Sequence, residues 1–397
     1  MFPKADFPFL RKVTYFDSAS SSPPPKQVID QAIRFMSDYP VNYSVTATRE
    51  GSAVANLMAK ARRLSAELID ANPDEIVFTR NTSEGLSTVA KGLPLEEGDE
   101  VLMSDMEHPS NILPWVHLRM TRGIRIKRVP TGADGLVDPD EVRSRITART
   151  RIVTVVGVSN VLGTIQPLRE IGEVARDHGL WYLVDGAEVA GRIPFSVKEV
   201  GCHFASFCGR KGLCAPPGIG FLYVNAEASR DLQPFALGAR SAKIVDPDGD
   251  MSLEYERPPA KYEAGVTNTL GAIGLGAAIE YFNSFGMDRI REHIGTLTVK
   301  AIQVLESIRG ARVFGPRDFE HQGGILSWVI DGHDPAAVVA ELSSKFGIVV
   351  RPRTLKSPYI KRKLQVDSTF RTSFHAFNDM ADVELLVQKT KELIGDR

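Results

Sequence analysis

The chain has 397 residues, of which 43% are hydrophobic and 24% are charged, and its formal net charge is −1. This composition is typical of a globular protein with one large and one smaller domain. A net charge near zero gives no electrostatic reason to expect a nucleic acid or an anionic membrane as a partner. No run of about 18 apolar residues occurs, so no membrane-spanning helix is expected.

Cysteine usage indicates the cellular compartment. Only Cys202, Cys208 and Cys214 are present. An odd number in a long chain argues against a disulfide framework and favours a reducing, cytoplasmic location. Because no C-x-x-C pair occurs, we expect no metal site. Residues 1–12 lack the apolar run of a secretory signal, which agrees with a cytoplasmic protein.

Seven short apolar or β-branched segments predict strands in the first part of the chain. They cover 75–79, 100–104, 125–129, 151–158, 181–185, 204–208 and 219–224. Helical patterns such as 167–179 separate several of them, and this alternation predicts a mostly parallel sheet covered on both faces. Because ligands bind at the carboxyl ends of such strands, the functional residues are expected there.

The last third of the chain has a different pattern. A long helical stretch at 287–308 precedes an apolar strand at 323–331, a further helix and two short strands. This order predicts a smaller α+β domain with an antiparallel sheet. We expect a large domain at 20–280 and a small domain formed by 1–19 and 281–397.

Two ionisable residues follow predicted strands. Lys211 lies in a Gly/Pro-rich loop, where desolvation lowers the pKa of a lysine toward use as a nucleophile, although a surface lysine is the plain alternative. Asp185 ends the strand 181–185. A carboxylate there needs a cationic partner such as a pyridinium nitrogen, or else it caps the next helix.

Polar residues follow three more of the predicted strands. Thr82 and Ser83 begin a helix, whose N-terminus could bind an anion, and simple N-capping is the alternative. His108 could stack on a flat ring or move a proton. Asn160 could bind a phenolic oxygen or a substrate, or form a tight turn. Together, the five strand ends offer the groups needed to hold pyridoxal phosphate.

Motifs along nearly the whole chain resemble the class V aminotransferase family of fold-type I pyridoxal-phosphate enzymes, most closely its cysteine desulfurase and selenocysteine lyase branch. The matching segments are YFDSASSSPPP, MEHPSNILPW, VSNVLGT, DGAE, CGRK, PPGIGFLY, YEAGVTNTLGAIGLGAAI and FRTSFHAFN. The resemblance implies an α/β, fold-type I transferase whose large domain holds a mostly parallel seven-stranded sheet beside a smaller C-terminal α+β domain. It also implies an amino-acid substrate and a homodimer with its sites near the interface.

The resemblance implies roles for individual residues. Lys211 would form the Schiff base and shuttle a proton, and His108 would stack on the coenzyme ring. The coenzyme contacts would come from Thr82, Ser83, His108, Asn160, Asp185, Glu188, Cys208, Arg210, Lys211 and Thr267. The substrate contacts would come from Ala19, Asn160, Arg351, Arg353 and Arg371. Among these, Arg371 would bind the α-carboxylate.

Two departures from the family pattern bear on the reaction and on the coenzyme phosphate. Residues 351–364, where desulfurases carry a mobile cysteine, contain none, so we expect desulfuration not to be the physiological reaction. Cys208 and Arg210 replace the family's Ser and His, and Val266 replaces a Thr that reaches the neighbouring subunit's phosphate. We hypothesise that Arg210 supplies the lost phosphate contact, with Thr267 as the alternative.

Glu188 stands where the family has a Gln near the phenolic oxygen of the coenzyme. An ionised carboxylate cannot donate a hydrogen bond to a phenolate. Glu188 is therefore either protonated, or it points elsewhere and serves as an acid/base or binds a cationic substrate group.

The segment 351–364 is strongly basic. A charge run is usually solvated, and we expect this for Lys356, Lys361 and Lys363. Arg351 and Arg353 lie at a strand end that faces the predicted site. They could bind a second carboxylate or another acidic group of the substrate.

The sequence therefore predicts a pyridoxal-phosphate enzyme that acts on an α-amino acid through lysine-mediated proton transfer. A C–S or other β-elimination lyase, an epimerase and an aminotransferase all remain open. One alternative is a cysteine desulfurase or selenocysteine lyase-like activity with an external thiol. A non-catalytic scaffold is a remote alternative, because Lys211, Asp185 and His108 together indicate a working site.

Overall fold

The computed structural model describes residues 3–246, 249, 251–355 and 357–396. The strands are β1 (Thr14–Tyr15), β2 (Ile76–Thr79), β3 (Glu100–Ser104), β4 (Arg125–Val129), β5 (Thr150–Val156), β6 (Trp181–Asp185), β7 (Phe204–Cys208), β8 (Gly220–Val224), β9 (Ala242–Val245), β10 (Ser252–Tyr255), β11 (Ala311–Phe314), β12 (Ile325–Ile330), β13 (Ile348–Val349), β14 (Arg351–Thr354) and β15 (Ser368–Ser373).

The α-helices, with short 3₁₀ turns between some of them, complete the secondary structure. They are α1 (Lys26–Asp38), α2 (Arg49–Leu68), α3 (Thr82–Gly92), α4 (Pro109–Arg122), α5 (Pro139–Arg145), α6 (Leu168–Asp177), α7 (Val197–Val200), α8 (Thr269–Asn283), α9 (Met287–Leu305), α10 (Pro335–Phe346), α11 (Pro358–Leu364) and α12 (Met380–Ile394). None of these helices is both long and apolar enough to cross a membrane.

Strands β2 to β8 form a seven-stranded sheet in the order β2-β8-β7-β6-β5-β3-β4. Strands β3 to β7 pair in parallel, and β8 runs antiparallel to both β7 and β2. The prediction of a mostly parallel seven-stranded sheet is confirmed. All seven predicted strands are present, and their ends differ from the prediction by at most two residues.

Alternating apolar side chains explain why these segments become central strands. Along β3, Leu102 packs in one core cluster, whereas Val101 and Met103 pack in another. Since successive strand residues point to opposite faces, the sheet is buried on both sides, as a parallel sheet requires. The neighbours of β3 are β4 on one side and β5 on the other, and ligands bind at such a switch in strand order.

A second, four-stranded sheet has the order β11-β12-β15-β14 and is antiparallel throughout. It packs on a separate core that includes Trp328 and Phe370 from this sheet and Phe7 and Phe16 from the N-terminal segment. Strand β1 pairs with β13, which ties that N-terminal segment to the C-terminal part of the chain. The boundaries at 20–280, 1–19 and 281–397 stay a prediction.

Candidate active site

A cavity of about 1000 Å³ lies between the ends of the parallel strands and the antiparallel sheet. Thirteen of the predicted site residues line it: Ala19, Thr82, Ser83, His108, Asn160, Asp185, Glu188, Cys208, Arg210, Lys211, Arg351, Arg353 and Arg371. Thr267 does not line the cavity. Its hydroxyl accepts a hydrogen bond from Tyr43 at 3.4 Å and donates one to Glu263 at 3.3 Å.

Two walls of this cavity carry its ionisable groups. We call the side chains that follow the large sheet the strand-end wall: Thr82, His108, Asp185, Glu188 and Lys211. We call the guanidinium groups of the small sheet the arginine wall: Arg351, Arg353 and Arg371. The prediction that chemical groups collect at the carboxyl ends of the parallel strands accounts for the first wall.

The N-terminus of α3 supplies hydroxyl groups to the cavity. Asn81 is the N-cap, and its side-chain oxygen accepts from the amide of Glu84 at 3.0 Å. The alternative that Thr82 or Ser83 caps the helix is therefore wrong. The Thr82 hydroxyl is buried and has no hydrogen-bond partner among the residues that the structure describes. The Ser83 and Ser110 hydroxyls share a hydrogen bond at 2.6 Å. Such a helix start is suited to an anion.

Asp185 is a buried carboxylate at the end of β6. Its Oδ1 accepts from the amide of Ala187 at 3.0 Å. Burial raises the pKa of Asp185 to about 6, against the smaller lowering effects of this hydrogen bond and of Lys211. In the described part of the chain, Asp185 forms no ion pair. A cationic ligand atom beside it would offset the cost of burial.

His108 caps α4, and its Nδ1 accepts from the amide of Ser110 at 3.1 Å. Burial lowers the pKa of His108 to about 4, and Lys211 and Arg353 lower it further. The imidazole is therefore neutral near pH 7. Because Nδ1 is an acceptor, Nε2 carries the ring proton.

Lys211 and Glu188 meet in the cavity, with 2.8 Å between Lys211 Nζ and Glu188 Oε1. On its other side, Glu188 Oε2 lies 3.3 Å from Nε of Arg192. Arg192 is fully buried and donates to the Phe374 carbonyl at 2.7 Å. The Glu188 carboxylate therefore lies between the side chains of Lys211 and Arg192.

Two of the three guanidinium groups of the arginine wall share one carboxylate, that of Asp17. Arg371 Nη2 lies 2.6 Å from Asp17 Oδ1 and also donates to the Ser20 hydroxyl. Arg351 Nη1 lies 3.6 Å from the other oxygen of Asp17. Arg353 instead donates to the backbone carbonyl of Asn160 at 2.8 Å. The three arginines therefore differ in how far their charge is balanced.

The basic segment after β14 is only partly solvated. Lys361 is exposed in part and pairs with Asp367 at 2.8 Å, as a solvated lysine can. The prediction for Lys363 is wrong. Its ammonium group donates to the Thr131 carbonyl, the Thr131 hydroxyl and the Gly132 carbonyl at 2.6 to 2.7 Å, because these oxygens lie beside α11 in the fold. Lys356 lies outside the described residues.

Sequence reasoning missed several residues that shape the site. Asp17 carries no local signal, because its partner Arg371 lies 354 positions away in the chain. Arg192 lies only four residues after Glu188, but the carbonyl that it binds, that of Phe374, is 182 positions away. Glu107 is buried and accepts from the Asn111 amide at 2.7 Å and the Val156 amide at 2.9 Å. Burial raises its pKa to about 8. An acidic residue three positions after a buried strand was a usable signal for Glu107.

The residues of the strand-end wall fit a ligand that combines a phosphate with a cationic ring nitrogen. Thr82 provides a buried hydroxyl at a helix start, and Asp185 provides a buried carboxylate; neither has a partner side chain in the described part of the chain. Lys211 provides the amine. Pyridoxal phosphate has the matching phosphate, pyridinium nitrogen and aldehyde.

Residues 14–386 match the family model described as Aminotransferase class-V. The chain belongs to this family. As a class-V aminotransferase family member it is an enzyme, and its coenzyme is pyridoxal phosphate. The resemblance seen in the sequence motifs is thereby confirmed.

Several proteins similar to this class-V family member are named cysteine desulfurases. It is 37% identical over 395 residues to a probable cysteine desulfurase of Methanothermobacter thermautotrophicus, covering 99% of this chain and 97% of the relative. It also resembles the solved cysteine desulfurase of Thermococcus onnurineus NA1, with a TM-score of 0.94, 31% identity and coverage of 99% and 98%. The Escherichia coli cysteine desulfurase CsdA gives a TM-score of 0.89 at 29% identity, with coverage of 99% and 97%.

Proposed function

We propose that this enzyme binds an α-amino acid in the cavity and moves a proton at the substrate's α-carbon with Lys211. The observation that carries the proposal is the contact of 2.8 Å between Lys211 Nζ and Glu188 Oε1, inside a cavity that both walls line. A lysine amine paired with a buried carboxylate is placed to gain and lose a proton.

The strand-end wall would hold the coenzyme. Thr82 and Ser83 would bind its phosphate, Asp185 would accept from its ring nitrogen, and His108 would cover its ring. Lys211 would attach it covalently. When bound, pyridoxal phosphate serves as an electron sink for charge that develops at the substrate's α-carbon.

Other residues of the cavity would bind the substrate, transfer its α-proton and orient it. Arg371 would bind the α-carboxylate, because a guanidinium fork matches a carboxylate with two parallel hydrogen bonds. Lys211 would take the proton from the α-carbon, and the Glu188 carboxylate, 2.8 Å from Lys211 Nζ, would stabilise the ammonium group that results. Asn160 would orient the substrate or the phenolic oxygen of the coenzyme.

An amino-acid panel tests the proposal. The yellow protein is incubated with single amino acids in deuterated water, and the visible band, α-deuterium, keto acid and sulfide are measured. At least one amino acid should shift the band and exchange its α-proton, and Lys211→Ala should abolish the exchange. β-Elimination, epimerisation and transamination give different products. A protein that stays colourless with added pyridoxal phosphate would contradict the proposal and favour a scaffold role.

A second candidate is desulfurase-like activity with an external thiol, which the names of the relatives favour. The chain's own thiols are poorly suited to that role. Cys202 and Cys214 are buried away from the cavity lining, and burial raises the pKa of Cys214 to about 12. Cys208 lines the cavity, where its sulfur accepts from Arg210 at 3.1 Å.

The external-thiol candidate has its own experiment. L-Cysteine is added with and without dithiothreitol, and alanine and sulfide are measured for the wild type and for Cys208→Ser. Equal, thiol-dependent release of both products in the two proteins would support an external thiol. Release without dithiothreitol that Cys208→Ser abolishes would contradict it.

We also propose a homodimer with its sites near the interface. Val266 is 62% exposed and Thr267 lies outside the cavity of its own chain, which suits contacts to a second subunit. Analytical ultracentrifugation should give twice the chain mass of 43.6 kDa. A monomer that retains full activity would contradict this part of the proposal.

A further inference from the structure

The register of the small sheet places three guanidinium groups on one face. Arg351 of β14 lies directly opposite Arg371 of β15, and Arg353 lies opposite Thr369. Opposite residues in an antiparallel pair share a face, and so do residues two apart in a strand. All three side chains therefore point from the arginine wall toward the cavity that they line.

Arg353 differs from its two neighbours in its charge partners. Asp17 pairs with Arg371 and Arg351, whereas Arg353 has no carboxylate at ion-pair distance among the described residues. Its contacts are neutral: the backbone carbonyl of Asn160 at 2.8 Å, and the Asn160 side-chain oxygen at 3.2 to 3.3 Å in the amide orientation that satisfies its hydrogen bonds. A guanidinium has five N–H donors, and these contacts use three of them, which leaves two for a ligand.

The surroundings of Arg353 make this unbalanced charge costly. Burial lowers the pKa of Arg353 to about 10, and the neighbouring Arg371 lowers it further. The side chain nevertheless remains protonated at neutral pH. A partly desolvated cation without an anion is unfavourable, and an anionic ligand group would remove that cost.

In the proposed function, the substrate's α-carboxylate binds Arg371. The positive charge of Arg353 is then still without an anionic partner in the described part of the chain. The guanidinium groups of Arg353 and Arg371 nevertheless lie near each other, because an Nη1 atom of each donates to the Asn160 carbonyl oxygen, at 2.8 and 3.3 Å respectively. Two guanidinium groups this close suit the two acid groups of one small amino acid.

We infer that Arg353 selects amino acids with an anionic side chain, a carboxylate or a sulfinate, and binds that second acid group. The inference rests on the proposed function and deepens it by naming the substrate class. Arg353 is a specificity-determining residue in this assignment, whereas Arg371 serves every α-amino acid.

Isosteric ligand pairs test the inference on the holoenzyme. The coenzyme's visible band is titrated with L-aspartate, L-cysteine sulfinate and the neutral isostere L-asparagine. The dissociation constants of the two acids should be at least about tenfold below that of asparagine, since charge-assisted bidentate bonds are about twice as strong as neutral ones. Arg353→Gln should remove the difference, and Arg353→Lys should keep part of it.

Matched controls separate a selective effect from a structural one. Arg362→Gln changes an exposed arginine of α11 and should leave all constants within about twofold of the wild type. Asparagine binding as tightly as aspartate would overturn the inference. An Arg353→Gln protein that loses affinity equally for acids and amides would also overturn it, because Arg353 would then serve the α-carboxylate or the shape of the cavity.

A second measurement does not depend on the proposed reaction. Isothermal titration calorimetry compares succinate with its monoamide, neither of which has an amino group. Succinate should bind at least about tenfold more tightly to the wild type, and the difference should vanish in Arg353→Gln. If no amino acid shifts the band, the proposed function fails, while this calorimetric difference still decides whether Arg353 binds a second acid group.

Discussion

The two walls of the cavity differ in the charge that is left unpaired: a carboxylate on the strand-end wall and guanidinium groups on the arginine wall. Within the described ranges of the chain, the strand-end wall holds a buried carboxylate without an ion pair at Asp185 and a buried hydroxyl without a hydrogen-bond partner at Thr82. The arginine wall holds three guanidinium groups for one carboxylate, Asp17. A ligand that satisfies both walls must bring positive charge to the first and negative charge to the second. A coenzyme with a cationic ring joined to an acidic amino acid meets that requirement.

The largest expected effect concerns the amine of the strand-end wall. Lys211→Ala should lower the rate of α-proton exchange by at least about 1000-fold, because general acid–base catalysis contributes about 10²–10⁴-fold. Single-turnover mass spectrometry of α-deuterium measures it. Lys198→Ala, which changes an exposed lysine paired with Asp70, is the control and should match the wild type. A rate in Lys211→Ala within tenfold of the wild type would place the base elsewhere.

The buried support of the strand-end wall is tested by Arg192→Met. This change leaves Glu188 without one of its two cations, and we expect the free energy of unfolding to fall by about 3 kcal/mol. Urea denaturation measures the loss. Adding Glu188→Gln to Arg192→Met should recover part of it. Losses that simply add in the double variant would show that the pair is not coupled.

The pH dependence of stability separates two members of the strand-end wall. In coenzyme-free protein, the raised pKa of Asp185, about 6 against 3.8, means that its contribution is present at low pH and is lost as the pH rises through about 6. The free energy of unfolding of Asp185→Asn relative to the wild type should therefore increase by about 2–3 kcal/mol between pH 4 and 7. Urea midpoints across this range measure it.

His108 should show the opposite sign. Its folded pKa of about 4 lies below 6.5, so its contribution is present at neutral pH and is lost as the pH falls toward 4. Relative to the wild type, His108→Gln should become more stable as the pH falls. If both variants change in the same direction, the assignment of one of these charge states is wrong.

The smallest expected effect concerns the coenzyme phosphate. Arg210→Ala should bind pyridoxal phosphate about tenfold more weakly, because a charged donor is lost from the cavity. Thr267→Ala should change coenzyme affinity less within one chain, since Thr267 does not line that cavity. Fluorescence titration of the coenzyme-free proteins measures both. The reverse order would favour Thr267 as the phosphate contact.

The two walls also differ in how well the sequence predicts them. Asp185 and Lys211 each lie close to a strand that hydrophobic patterning identifies, so their placement follows from local sequence and the strand-end rule. The seven strands were predicted on the same basis.

The arginine wall depends on contacts between distant residues. Asp17 and Arg371 are 354 positions apart, and Lys363 contacts Thr131 across 232 positions. Charge composition does not distinguish a solvated lysine from one that binds buried carbonyl groups, which is why the prediction for Lys363 was wrong. Strand register, which aligns Arg351 with Arg371, is likewise set by tertiary packing.

The pairing of Glu188 with Arg192 has a consequence for how the sequence can change over time. Either residue alone would become a buried charge with fewer partners, and removing one member of a buried pair costs about 3–5 kcal/mol. That cost is a large part of the stability of a typical domain. A lineage can therefore reach a neutral residue at position 188 most easily when position 192 changes with it, so the two positions should evolve as a unit.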